Sequence, residues 1–142
     1  MRPARRIRKR AARRESSGMN DTITFGTVTP LIPADDVSRS LAFYVETLGF
    51  EEAFRAGTPP DYAGIRRGVA NVHIFACKEP RIAEWTAFRI GVDGLDSLFA
   101  RCAEAGIVHP NGGVAIRAWG TREFTVLDPS GVGITFWERT PQ

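Results

Sequence analysis

From Thr22 onward, runs of β-forming residues alternate with two segments in which apolar side chains return every three or four positions. In the first segment Val37, Leu41, Tyr44 and Leu48 share one helical face, Asp35 or Asp36 precedes them as a cap, and Gly49 supplies a left-handed stop. In the second, Asp93 stands in the cap position, Leu95, Leu98, Phe99, Cys102 and Ala105 take the buried side, and Gly106 closes the helix. An offset of 57 residues lays Asp36 on Asp93, Ser40 on Ser97, Leu41 on Leu98 and Gly49 on Gly106. The helices therefore belong to an internal repeat.

A strand-like run precedes each helix, at residues 25–33 and 85–92. Three more follow each one: 50–55, 62–66 and 69–77 in the first half, then 107–117, 122–127 and 132–137 in the second. The weakest is 107–117, because residues 109–113 read as loop. Turns fall at Thr58-Pro59-Pro60, at Arg67-Gly68 and at Asp128-Pro129-Ser130-Gly131, the last with Pro second and Gly fourth as a type I turn prefers. The pattern predicts an α+β chain made of two βαβββ units.

A chain of 142 residues with 43% apolar content fits one domain with its own core. Its formal charge of +3 is misleading until it is resolved by position. Residues 1–20 hold eight Lys and Arg against one acid, which leaves eleven bases and fifteen acids in the body, a formal −4. Residues 1–20 are read as a disordered basic tail and 21–142 as the folded domain. Two other readings of the tail stay open: an arm that binds nucleic acid or membrane through clustered Arg, and upstream sequence ahead of a natural start at Met19. Nucleic acid is otherwise not an expected partner of the acidic body. The tail lacks the apolar segment of a secretory signal, and no run approaches the roughly 20 apolar residues of a membrane span, so a soluble, cytoplasmic protein is expected. Cys77 and Cys102 lack CxxC spacing and read as reduced core residues.

The segment TPLIPADDVSRSLAFYVETLGF resembles the opening unit of vicinal-oxygen-chelate proteins, a superfamily that includes glyoxalase I, ring-cleaving dioxygenases and the fosfomycin and bleomycin resistance proteins. DYAGIRRG, VHIF with the following WTAFRIGVDGLDSLF, and WGTREFTVLDPSG running into ITF resemble bleomycin resistance proteins in order and spacing. The likeness covers nearly all of residues 27–138. It implies the glyoxalase/bleomycin resistance fold, in which each βαβββ unit forms a curved, incompletely closed sheet and the two units enclose a site. It also implies a homodimer with two crevices at the subunit interface, each walled by both chains.

In that superfamily four positions on the first and last strands of each unit decide the chemistry, and the family pattern places them at Thr29, His73, Ala87 and Thr135, or at Thr86 for the third by the repeat offset. A divalent transition metal needs about three ligands from His, Glu, Asp or Cys, and this set contains one imidazole. No metal and no cofactor are expected, and His73 is read as a crevice residue that hydrogen-bonds a neighbour or a ligand. His109, in a Pro/Gly loop, reads as a surface residue. No nucleophile elbow, phosphate-binding loop or dinucleotide fingerprint is present, so catalysis is not expected. Glu51 and Glu52 point to opposite faces if they lie on a strand.

The resemblance further places Tyr62, Phe54 and Trp119 at the aromatic walls of a drug crevice, with Thr29, His73 and Thr135 beside them. Phe54 stays open between crevice and core. Trp85 and Trp137 read as core or interface residues, and Arg122 with Glu123 as a salt-bridged surface pair. The resulting expectation is non-catalytic sequestration of a bleomycin-type glycopeptide, conferring resistance. An acidic body would attract the drug's cationic tail. The alternatives are a metal-dependent enzyme of the superfamily, a metal-free binder of another small molecule, and a nucleic-acid-associated sensor acting through the Arg tail.

Overall fold

The computed structural model describes residues 22–141. The readings of the basic tail therefore lie outside the described residues. Elements β1 (Leu31–Ala34), α1 (Val37–Ala42), β2 (Glu51–Ala56), β3 (Tyr62–Arg67) and β4 (Ala70–Ala76) form the first unit. A short helix, α2 (Pro80–Glu84), links it to β5 (Ala87–Gly91), α3 (Leu95–Glu104), β6 (Ala115–Ile116), β7 (Thr121–Leu127) and β8 (Gly133–Arg139). The sheets run β1-β4-β3-β2 and β5-β8-β7-β6, each with a parallel outer pair and antiparallel hairpins. The repeat read from the helices thus extends to strand order, and neither sheet closes on itself.

Each helix covers one face of its own sheet. Val37, Leu41, Tyr44 and Leu48 are buried against Ile32, Ala63, Ile65, Val72 and Ile74. Leu95 and Cys102 are buried with Phe124, Val126, Ile134 and Phe136, and Phe99 meets Phe124 edge-on at 5.2 Å. A single apolar core joins the two units. Asp36 caps α1 by accepting from Arg39 N at 3.1 Å, and Gly49 leaves the helix at φ 76°. Between them the last turn widens at Phe43–Thr47 into π-helix, with Leu48 N bonding Phe43 O at 3.3 Å. The turn at Asp128 to Gly131 forms as expected, with Gly131 N donating to Asp128 O at 3.0 Å.

Five local expectations are corrected. Asp93 does not cap α3: Gly94 takes that place, and Glu138 Oε1 on β8 accepts from Gly94 N at 2.9 Å and Leu95 N at 3.1 Å. Ala105 is exposed. The run 25–33 contracts to β1, because residues 25–29 pair with no strand among the described residues, and Phe25 is left 83% exposed. Of the run 107–117 only β6 and a bridge from Val108 to Val126 remain. Trp85 is neither core nor strand; it ends α2 and is 85% exposed. Cys102 is buried, its thiol pushed up by desolvation, and Cys77 is half-buried just past β4. No helix among the described residues is long and apolar enough to cross a membrane.

Candidate functional site

Paired residues in a ladder point to the same face, so the registers show what each sheet presents on the side away from its helix. In the first sheet one rung runs Leu31, His73, Gly64, Phe54. Phe54 reaches that rung through a bulge, since Glu52 pairs Ile65 while Phe54 pairs Gly64, leaving Ala53 as the extra residue. Gly64 then makes room for it: a Cβ there would lie 2.2 Å from Phe54 Cε1. Tyr62, two residues from Gly64, shares the face.

The three rings meet. Phe54 and Tyr62 stack with centroids 6.1 Å apart and planes 17° from parallel, and His73 meets Phe54 edge-on at 5.2 Å and Tyr62 at 5.6 Å. Tyr62 Oη lies 3.0 Å from His73 Nδ1, a hydrogen bond that orients the imidazole. Phe54 is 42% exposed and so is not a core residue. Thr29 precedes β1 and is half-buried. Glu51 and Glu52 are both exposed, and they pair with Arg66 and Arg55 respectively.

The second sheet presents Arg89, Thr135 and Thr125 on one rung, and Gly91, Trp137, Glu123 and Ala115 on the next. Thr135 shares a hydrogen bond of 2.8 Å with Thr125. The half-buried Trp137 lies over Gly91, where a Cβ would stand 2.9 Å from its ring. Glu123 is withdrawn from solvent, with its side chain 7% exposed. Its Oε2 accepts from Arg89 at 3.0 Å and Thr121 at 3.1 Å, and its Oε1 from Arg117 at 3.3 Å. The Arg89 hydrogen bond, above all, holds the Glu123 carboxyl below its usual 4.5. Glu123 is thus not the surface partner of Arg122, which pairs with Asp96 and Glu138 on the opposite face. Adjacent strand residues cannot share a face.

Arg117 also lies over the ring of Trp119, its Cζ 5.9 Å from the centroid. Trp119 stands in the loop before β7, 65% exposed. Two arginines against one acid make this wall locally basic, so the overall acidity of the body does not describe it. Within the chain, the described ring contacts join Phe54, Tyr62 and His73, and Trp119 is not among them. Sequence reasoning missed Gly64, Arg89, Arg117 and Thr125. Gly64 had a signal, a glycine inside a strand run; the others are joined by register alone.

At the four family positions, Thr86 is turned away, its hydroxyl donating to Ile82 O at 2.6 Å, whereas Ala87 shares the face of Arg89 and Thr135. Of the two, Ala87 is the residue on that face. Among the described residues no three His, Cys, Asp or Glu are grouped to hold a metal ion. His109 Nδ1 accepts from Asn111 N at 3.0 Å, a loop-closing role.

Two unclosed sheets of identical strand order, each with polar and aromatic side chains on the face away from its helix, define a paired-βαβββ protein. The family model of the Glyoxalase/Bleomycin resistance protein/Dioxygenase superfamily matches residues 24–136, and the chain belongs to that superfamily. Bleomycin resistance proteins of Geobacillus stearothermophilus and Staphylococcus aureus are 26% identical over 127 residues, covering 78% of this chain and 94% of theirs. The bleomycin-binding protein of bleomycin-producing Streptomyces verticillus, solved with copper(II)-bleomycin, is 31% identical with a TM-score of 0.70, covering 85% of this chain and 100% of its own. A bleomycin resistance determinant encoded on the transposon Tn5 is 25% identical with a TM-score of 0.69, covering 81% and 98%.

Proposed function

We propose that the chain binds and sequesters a bleomycin-type glycopeptide without modifying it, acting as a homodimer whose crevices are lined by Phe54, Tyr62 and His73 of one sheet and Trp119, Thr135 and their neighbours of another. The observation that carries this reading is the Phe54–Tyr62 stack set over Gly64, a flat and partly exposed aromatic face that a folded core does not require. Such a face suits a flat heteroaromatic group, offset stacking contributing about 0.5 to 1.5 kcal/mol per pair beyond area burial. Resistance proteins and bleomycin-bound structures among the relatives support the choice of drug. Exposed Ile23, Phe25 and Val28 on the segment before β1 support a second copy as the covering partner.

Thr29, His73, Ala87 and Thr135 supply one imidazole, two neutral hydroxyls and a methyl, a donor set that does not fit the roughly three charged or imidazole ligands of a catalytic divalent metal. Binding without turnover therefore outranks lyase or dioxygenase chemistry. The test is a tryptophan-fluorescence titration with bleomycin, followed by mass spectrometry of the released drug. Stoichiometric saturation with intact drug is expected; absence of binding would leave another ligand, and an altered drug would restore the enzyme reading.

A further inference from the structure

The two units meet each other at two pseudo-equivalent contacts, and the contacts differ. At one, the five-residue connection from Asp128 to Val132 between β7 and β8 packs onto α1. Tyr44 Oη donates to Asp128 Oδ2 at 2.8 Å, Ser130 Oγ to Asp35 Oδ1 at 2.8 Å, and Arg39 Nη2 to Pro129 O at 3.3 Å. At the other, β3 and β4 are joined by Gly68 and Val69 alone, and a cavity of about 610 Å³ remains between that turn and α3. Its floor is apolar: Leu48, Phe50, Ile90, Val92, Leu98 and Phe136.

The charges differ as well. The 57-residue repeat offset puts Arg101 at the position of Tyr44. Where the closed contact has a phenol bonded to a carboxylate, the open one has Arg101 and Arg67 lining the same space. Arg67 Nη1 is engaged by Leu48 O at 2.7 Å, which leaves its other donors, and the Arg101 side chain makes no hydrogen bond or ion pair among the described residues. Asp93 is the one acid in the lining, so its formal charge is positive. Two guanidiniums beside an apolar floor match a ligand with an anionic head and an apolar body. The volume lies in the usual range for small-molecule sites, about 300–1,000 Å³.

We infer that this cavity is a second small-molecule site, which takes an amphipathic monocarboxylate with a medium-length apolar body and receives its head group on Arg67 and Arg101. None of its residues belongs to the drug-facing rungs, except that Gly91 borders both, so the inference stands or falls apart from drug sequestration. The test is calorimetric titration of the full chain with sodium octanoate, octanol and octyltrimethylammonium. Octanoate is expected to saturate, and the cation is not. Arg101→Glu, or Arg101→Gln should the reversal not fold, is expected to weaken octanoate by about tenfold or more while sparing octanol, as loss of a hydrogen bond to a charged group implies. Ser97→Phe, which carries a ring from the exposed side of α3 into the cavity, is expected to abolish uptake with bleomycin titration unchanged. Equal uptake of octanoate and the cation, octanoate affinity indifferent to Arg101, or no octanoate binding would each overturn the assignment.

Discussion

Tyr44 Oη donates to Asp128 Oδ2 at 2.8 Å, tying the first helix to the last turn across 84 residues of chain. Asp128 Oδ1 accepts from the backbone N–H of Ser130, Gly131 and Val132, so one buried carboxylate organises both the turn and the contact between units. Tyr44→Phe removes one hydrogen bond and leaves that carboxylate short of a donor. A loss of about 1–3 kcal/mol in urea unfolding is expected. Burial holds the Tyr44 hydroxyl well above its usual 10.0, so the folded protein keeps a proton that the unfolded chain releases. Stability should therefore fall as pH rises past about 10, less steeply in Tyr44→Phe.

Glu123 predicts the acid limb. Its carboxyl is held below the ordinary 4.5, first by the Arg89 hydrogen bond, so its contribution is complete above that pH and is lost as pH falls through the folded value. Glu123→Gln should flatten the pH dependence of the thermal midpoint below about 4.5. It should also free Arg117, measured as altered Trp119 fluorescence. An unchanged acid limb would mean that the three-way pairing does not persist in solution.

Ser40 Oγ is fully buried and has no hydrogen-bond partner among the described residues. Replacing an unsatisfied buried hydroxyl by a methyl removes a desolvation cost and improves helix propensity. Ser40→Ala is expected to raise stability by about 1 kcal/mol in denaturant unfolding.

The elements that carry their own local signals were legible in the chain. Val37, Leu41, Tyr44 and Leu48 mark one face of α1, Asp36 caps it, and Gly49 ends it. Val72, Ile74, Ile134 and Phe136, which alternate with His73 and Thr135, are buried in the core, as a period of two requires of residues on the opposite face. What was not legible depends on distant neighbours. Glu138 displaces Asp93 as the cap of α3 because β8 brings a carboxylate to that terminus. Glu123 finds Arg89, 34 residues away, rather than Arg122 beside it. Helix α2 is five residues long, too short for a periodic pattern to reveal. Phe54, Tyr62 and His73 were each named from the sequence, but their contact with one another was not, because the bulge that turns Phe54 onto Gly64 leaves no mark in the pattern.

Gly64→Ala tests that bulge and its cut-out. The new Cβ would occupy the Phe54 ring position, so the ring must move while the strand remains. Bleomycin affinity should weaken by up to about tenfold, the value of one aromatic stack, with the unfolding midpoint little changed.

The last prediction concerns which chain supplies which wall. Trp119→Ala should cost about 2 kcal/mol or more, roughly thirtyfold in dissociation constant, if the ring is a binding hot spot. Tyr62→Ala should cost a comparable amount, and Tyr62→Phe less, because the ring survives and only the hydrogen bond to His73 Nδ1 is lost. Tyr62 and Trp119 do not touch within one chain, so in the proposed dimer a crevice takes Tyr62 from one protomer and Trp119 from the other. Each single variant then spoils both crevices of its own homodimer. Unfolding and refolding the two variants together should form heterodimers in which one crevice carries both substitutions and the other carries neither. Bleomycin titration of that mixture should recover a fraction of sites with parental affinity. If no tight sites return although heterodimers form, both walls come from a single chain and the interface crevice is wrong.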